Sequence, residues 1–259
     1  MLGSFFVPPF GEPRARKMEA TLPETKDTFL ESAVKEFARR GLLLCVLLFL
    51  IEVGLFFAVS SLPFFPGEQS LYTNQSNQIG TEFQNATLFA QFSGIFVNNY
   101  RIALIEMVPG IGLLFFAFSL YATARILEVI SINDHASPLL LVLVLLLLFP
   151  HSWIELPAYA VATAEGTFLL YAIVKWLSDS SGRDSVRWSA ELGQLMINVA
   201  IVTIMLAVAA LFESVEIQLG LLFWVTWIPF AAIIVVVLVL NHRLSRIRKR
   251  LKENQNVVL

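Results

Sequence analysis

The chain of 259 residues is poor in charge and has a single cysteine. Charged residues make up 15% of it and hydrophobic residues 57%, a composition outside the range of soluble domains. Its apolar runs are too long for buried core helices, so the composition predicts an integral membrane protein. The lone Cys45 excludes an internal disulfide. The length leaves room for about five or six spans and for no soluble domain of ordinary size.

Histidine is also scarce, and the motifs of familiar hydrolases are missing. His135, His151 and His242 fall in three separate predicted loops, so a zinc site made of three histidines is excluded. The sequence contains neither a His-Glu-x-x-His run nor a Gly-x-Ser-x-Gly elbow. We therefore expect no hydrolase site, with no catalytic residue, no cofactor and no metal ligand.

Apolar segments predict an all-α, polytopic membrane helix bundle with six transmembrane helices. The predicted spans are residues 41–62, 102–124, 138–149, 156–176, 192–212 and 219–240. The third span is only about 18 Å long as a helix, whereas the hydrocarbon core is about 30 Å thick. We expect a short, broken helix pair over residues 138–176, within a transmembrane domain at residues 41–240.

Lysine and arginine are absent from segment 63–92 and concentrated near the chain ends. With both termini in the cytoplasm, six spans place 17 of the 18 Lys and Arg residues inside, Arg101 being the exception. This distribution follows the positive-inside rule. A five-span alternative, with one kinked helix over residues 139–171, would place the basic tail outside. We expect a multi-pass protein of the cell membrane, with segment 63–92 on the extracytoplasmic side.

The segments outside the predicted spans carry weaker signals. Residues 1–40 are typical of a cytoplasmic tail followed by an amphipathic interfacial helix, or by the solvated start of the first span. Residues 241–259 form a basic cytoplasmic tail suited to anionic lipid headgroups, and nothing else in the chain supports nucleic-acid binding. Within segment 63–92, Asn74 and Asn85 begin glycosylation sequons.

Ionisable side chains recur inside the predicted spans, where their cost makes each a functional-site hypothesis. Two stripes at helical spacing mix polar with small residues. They are Asn99, Ala103, Glu106 and Gly110 on the second span, and Glu155, Ala158, Ala162, Glu165 and Gly166 on the fourth. We expect the stripes to face each other. The candidate polar cluster is His151, Glu155, Glu165, Glu106, Asn99 and Arg101, and the helix-breaking and packing positions are Pro109, Gly110, Gly112, Pro150, Pro157 and Gly166.

The octapeptide PHSWIELP at residues 150–157 interrupts two apolar runs. Pro157 is tolerated in the first turn of a helix, which favours a helix that begins near Glu155, with His151 in the preceding turn. In the alternative, the helix continues through His151, which then contacts Glu155 at i and i+4. His151 either supports free carbonyl groups or acts as a ligand or base.

Two runs of residues carry a family resemblance. One is Asn98 to Ala103 followed by Pro109 to Gly112, and the other is Pro150 to Ala158 followed by Ala164 to Gly166. Over residues 90–210 the chain resembles the stage II sporulation protein M family of polytopic membrane proteins. The resemblance implies a non-enzymatic membrane scaffold or assembly factor for other membrane or extracytoplasmic proteins. The alternative is a transporter or channel component with its site around His151 and Glu155. The sequence leaves open whether the chain forms a homo-oligomer.

Overall fold

The computed structural model describes residues 41–84, 86–133, 135–178 and 188–257. Within these ranges all the regular structure is helical. The predicted tail and interfacial helix at residues 1–40, and the sequon residue Asn85, lie outside the described residues.

Eight α-helices and one 3-10 helix follow one another in this part of the chain. They are α1 Leu42–Val59, α2 Glu68–Gln84, α3 Leu88–Glu106, α4 Ile111–Asn133, α5 Pro138–Leu148, α6 Ser152–Ser178, α7 Trp188–Leu219, a 3-10 helix Gly220–Thr226, and α8 Trp227–Val257.

Five helices of the described chain are long and apolar enough to cross a membrane. They are α1, α4, α6, α7 and the stretch Leu222–Arg243 that includes most of α8. α5 has 11 residues, which at about 1.5 Å per residue is too short to cross. The polytopic helical character and the short α5 are confirmed, but the count of six spans is not.

The prediction of one helix over residues 102–124 is wrong. α3 ends at Glu106 and α4 begins at Ile111, so the chain breaks in this region where a bend was expected. Pro109 disfavours helical backbone at the residue before it and has no amide hydrogen. Gly110 has a φ of +83°, in the left-handed region that glycine adopts without strain. Gly110 therefore lies in a turn and not on the predicted stripe.

The polar segment 63–92 was expected to be a loop, but it contains α2 and the first turn of α3. Each helix has a side-chain cap. The Glu68 carboxylate accepts a hydrogen bond from the Phe65 amide at 2.8 Å, and Thr87 Oγ1 accepts one from the Ala90 amide at 3.3 Å. Such caps satisfy amide groups that would otherwise lack a partner at a helix start.

The predicted position of segment 125–137, on the opposite side from segment 63–92, is also wrong. Arg125 donates hydrogen bonds to the carbonyl oxygens of Leu62 at 2.8 Å and Pro63 at 3.2 Å. The second half of α4 therefore lies at the same end of the bundle as the end of α1. The turn between α3 and α4 causes the difference, because it adds a chain reversal that a single helix would not contain.

α3 and α6 run in the same direction, with their polar stripes in contact. Asn99 contacts Glu155 and, about two turns further along both helices, Glu106 contacts Thr163. The residues of α3 that are buried repeat at helical spacing, namely Gln91, Ile95, Asn99, Ala103 and Glu106. The predicted pairing of the two stripes therefore describes how these helices pack.

α6 and α7 are antiparallel. Glu165 contacts Asn198 in the first half of α7, whereas His151, just before α6, contacts Glu216 near the end of α7. Because α7 continues to Leu219, Glu213 and Glu216 lie on a helix. The helix therefore extends past residue 212, where the fifth span was predicted to end.

Glycine allows the backbones of α3, α4 and α6 to meet at the end of α3. A Cβ atom added at Gly166 would lie 2.5 Å from the carbonyl oxygen of Glu106, and one added at Gly112 would lie 1.9 Å from the same oxygen. No side chain fits at such distances, so both positions require glycine for close helix packing.

We predict that Gly166→Ala destabilises the protein, because the new methyl group must displace the backbone at Glu106. Overpacking of this kind costs about 1–3 kcal/mol. Gly54→Ala is the matched control, since a Cβ atom at Gly54 meets nothing within 4 Å. Thermal unfolding in detergent should show a lower midpoint for Gly166→Ala alone, and equal midpoints for the two variants would contradict this packing.

Candidate functional site

At the break between α5 and α6, side chains donate hydrogen bonds to carbonyl groups in the last turn of α5. Trp227 Nε1 donates a hydrogen bond to the carbonyl oxygen of Leu148 at 2.6 Å. Ser152 Oγ donates one to the carbonyl oxygen of Leu145 at 3.1 Å. Carbonyl groups at a helix end lack partners inside the helix, and in an apolar medium they need such donors. These hydrogen bonds stabilise the break as part of the folded bundle.

α6 begins earlier than the proline pattern suggested. The Glu155 amide donates to the carbonyl oxygen of His151 at 2.9 Å, and the helix starts at Ser152. Pro157 consequently lies in the second turn, and the expectation that it occupies the first turn is wrong. Glu155 remains in the first turn, where its negative charge interacts favourably with the helix dipole.

His151, Glu155 and Glu213 come together beside the break. One ligand atom from each, a ring nitrogen or a carboxylate oxygen, lies within 4.8 Å of the other two. The Nδ1 atom of His151 is hydrogen bonded to Glu216, and Thr226 Oγ1 donates to the second oxygen of Glu216 at 3.2 Å. His151 therefore bonds to a side chain of α7, and it does not serve as a support for free carbonyl groups. We call His151, Glu155 and Glu213 the outer triad.

Two donors hold the Glu155 carboxylate at the contact between α3 and α6. Asn99 Nδ2 donates to Glu155 Oε1 at 3.0 Å, and Tyr159 Oη donates to the same oxygen at 3.1 Å. Asn99 is 7% exposed, so this bond lies inside the bundle. Asn99 and Glu155, which were predicted to lie on facing stripes, are thus in direct contact.

Glu106, at the end of α3, and Glu165, on α6, occupy positions separate from the outer triad. Ser119 and Thr163 donate to the two oxygens of Glu106 at 3.1 and 3.3 Å. Asn198 Nδ2 donates to Glu165 at 2.5 Å. Glu165 was expected to join the cluster around His151, but its partner Asn198 belongs to the first half of α7, and the cluster does not include it.

Glu52 on α1 is the least satisfied of the buried carboxyl groups. The residue is fully buried, and neither side-chain oxygen has a hydrogen-bond partner among the described residues. A polar group in that position is costly in an apolar medium and is a functional-site hypothesis on that ground.

Arg101 does not belong to the cluster, contrary to expectation. Its side chain is exposed, because position 101 lies outside the buried face of α3 formed by Asn99, Ala103 and Glu106. Arg101 was included as an ionisable side chain at the edge of a predicted span, although helical spacing already separated it from that face.

Comparison with protein families gives a match over most of the chain. A family model described as Stage II sporulation protein M matches residues 42–215. The chain belongs to the stage II sporulation protein M family. No curated protein and no solved structure gives a significant match. The family match begins at residue 42 and so includes α1, which the resemblance over residues 90–210 did not cover.

This member of the stage II sporulation protein M family has a second polar cluster, which the sequence reasoning missed. Arg125, fully buried on α4, donates to the carbonyl oxygen of Leu62 at 2.8 Å and to Glu128 at 2.6 Å. Its Nε atom lies 3.3 Å from the carboxylate of Glu68 on α2. We call Arg125, Glu128 and Glu68 the arginine cluster. The only sequence signal is the spacing of Arg125 and Glu128 at i and i+3.

Contacts with Tyr121, Phe65 and Arg125 together determine the protonation of Glu68. Burial acts to raise the pKa of this carboxyl group, but hydrogen bonds from Tyr121 and from the Phe65 amide, together with the charge of Arg125, lower the pKa below its ordinary value. Glu68 therefore stays ionised at neutral pH and keeps α2 attached to α4 through a charged contact.

Removal of the Arg125 charge should destabilise this family member strongly. Arg125→Met leaves the carbonyl oxygens of Leu62 and Pro63 and the Glu128 carboxylate without this donor, and it removes the ion-pair partner of Glu68. Breaking a buried ion pair typically costs about 3–5 kcal/mol. Arg101→Met is the control, because an exposed substitution usually changes stability by less than about 0.5 kcal/mol. Thermal unfolding in detergent measures both, and similar midpoints for the two variants would show that Arg125 does not hold the helices together.

Proposed function

We propose that this chain is a non-enzymatic membrane scaffold or assembly factor for other membrane or extracytoplasmic proteins. Membership of the stage II sporulation protein M family and the apolar helices fit a membrane protein. The observation that carries the proposal is the pairing of buried polar side chains across helices, as in Asn99 with Glu155, Glu165 with Asn198, and Arg125 with Glu68. Such pairs favour one helix packing, as a scaffold requires.

The surface most suited to a partner is α2. It is a helix of 17 residues with no lysine or arginine, and many of its polar side chains are exposed. Ion pairing between Glu68 and Arg125 attaches its first turn to the bundle. A helix held at a fixed angle presents its surface without a large ordering cost on binding. We propose that α2 lies on the extracytoplasmic side and contacts the partner.

We also propose six membrane crossings, assigned differently from the sequence prediction. α3 and α4 would each cross, and the short α5 would form one crossing with α6. The common direction of α3 and α6, and the antiparallel direction of α7, support this order. It keeps both termini on one side, where the positive-inside rule places the basic tail.

A second function, as a transporter or channel component, is favoured by Glu52. Its buried carboxyl group has no hydrogen-bond partner among the described residues. Carboxyl groups of this kind inside membrane helices mark ion or proton pathways. The broken helix pair α5 and α6 resembles the discontinuous helices that form transporter sites.

Purification of the full chain from its native membrane tests the scaffold proposal. We expect a stoichiometric partner that is lost when Gln75 and Gln78, exposed on α2, are both changed to arginine. The same change at Asn241 and His242, exposed on α8, should leave the partner bound. Purification of the chain alone, with an ion or solute flux in proteoliposomes that Glu52→Gln abolishes, would contradict the scaffold and support the transporter.

A further inference from the structure

The outer triad joins three groups that are each able to bind a cation. His151 stands between α5 and α6, Glu155 is in the first turn of α6, and Glu213 comes from α7, yet their nearest ligand atoms lie within 4.8 Å of one another. Two ligands on opposite sides of a first-row metal ion are about 4.2 Å apart, since metal–ligand distances are about 2.1 Å. Small side-chain movements would therefore bring all three groups into contact with one ion.

The charges of the outer triad favour a cation at its centre. Glu155 and Glu213 are two carboxyl groups in close proximity inside an apolar bundle, where like charges repel strongly. Glu155 has donors in Asn99 and Tyr159. Glu213 has no hydrogen-bond donor among the described residues, so its oxygens are available. A divalent ion would neutralise the charge of both carboxylates.

The surroundings of His151 provide a second, independent observation. Its Nδ1 atom is bonded to the Glu216 carboxylate, which is 3% exposed and also accepts a hydrogen bond from Thr226. A metal-binding histidine commonly bonds to a carboxylate through the nitrogen that does not face the ion, and this bond fixes the ring. With Nδ1 occupied in this way, Nε2 is the nitrogen available as a ligand, and it has no hydrogen-bond partner among the described residues.

We propose that His151, Glu155 and Glu213 form a binding site for a divalent transition-metal ion. An imidazole with two carboxylates selects ions that accept both nitrogen and oxygen ligands, such as Zn²⁺ or Mn²⁺, over Ca²⁺ and Mg²⁺, which prefer oxygen alone. The expectation of no metal ligand came from the spacing of the three histidines, which does not address one histidine combined with glutamates from two helices. The site is independent of the scaffold proposal.

The test uses the full chain, purified in detergent and stripped of metal with a chelator. Calorimetric titration with Zn²⁺ and with Mn²⁺ should give one site per chain. Glu155→Gln and Glu213→Gln should each weaken binding at least tenfold, and Glu216→Gln should weaken it about 10- to 100-fold through the orientation of His151. Glu165→Gln is the matched control, since it removes a buried carboxylate of α6 that bonds to Asn198 and lies outside the outer triad.

Mn²⁺ also allows a measurement on the wild-type protein alone, which does not depend on the folding of any variant. Pulsed electron paramagnetic resonance of the wild-type protein should show coupling of the bound Mn²⁺ to an imidazole nitrogen. The proposal is overturned if neither ion binds, if the bound Mn²⁺ shows no nitrogen coupling, or if Glu155→Gln and Glu213→Gln bind as tightly as Glu165→Gln.

Discussion

A polar side chain inside an apolar helix bundle has no water to bond to, and the structure depends on how each such group is satisfied. The carboxylates of Glu106, Glu155 and Glu165 all receive donors from other helices. Each of these bonds connects two different helices. The polar groups therefore act as specific connections between α3, α4, α6 and α7, whereas apolar contacts alone would allow several packings.

The close approach of backbones makes these connections geometrically possible. Gly112 and Gly166 both meet the carbonyl oxygen of Glu106, where any larger residue would clash. Glu106 is thus held by its backbone against two helices and by its carboxylate against Ser119 and Thr163. In the second half of α4, Arg125 likewise connects α4 with the end of α1 and with α2 through polar contacts. Here the donor is a charged guanidinium group, whereas the donors to Glu106 are hydroxyl groups.

The sequence was sufficient for features that repeat along one helix. Helical spacing placed Asn99 and Glu106 on one face and Glu155 with Gly166 on another, and the run of eleven residues before Pro150 indicated a short helix. Features that depend on contacts between distant segments could not be predicted in this way. The turn at Gly110 reversed the chain and moved Arg125 to the end of α1, and the extension of α7 placed Glu213 and Glu216 beside His151. No local pattern fixes such distances.

A double-mutant cycle on Asn99 and Glu155 measures whether the stripes of α3 and α6 pack through direct polar contacts, as the structure indicates. The free energy of unfolding would be measured for the wild type, Asn99→Ala, Glu155→Ala and the double variant. The contact at 3.0 Å predicts a coupling energy of about 0.5–2 kcal/mol, in the range for hydrogen bonds between membrane helices. Additive effects, with a coupling energy near zero, would contradict such contacts.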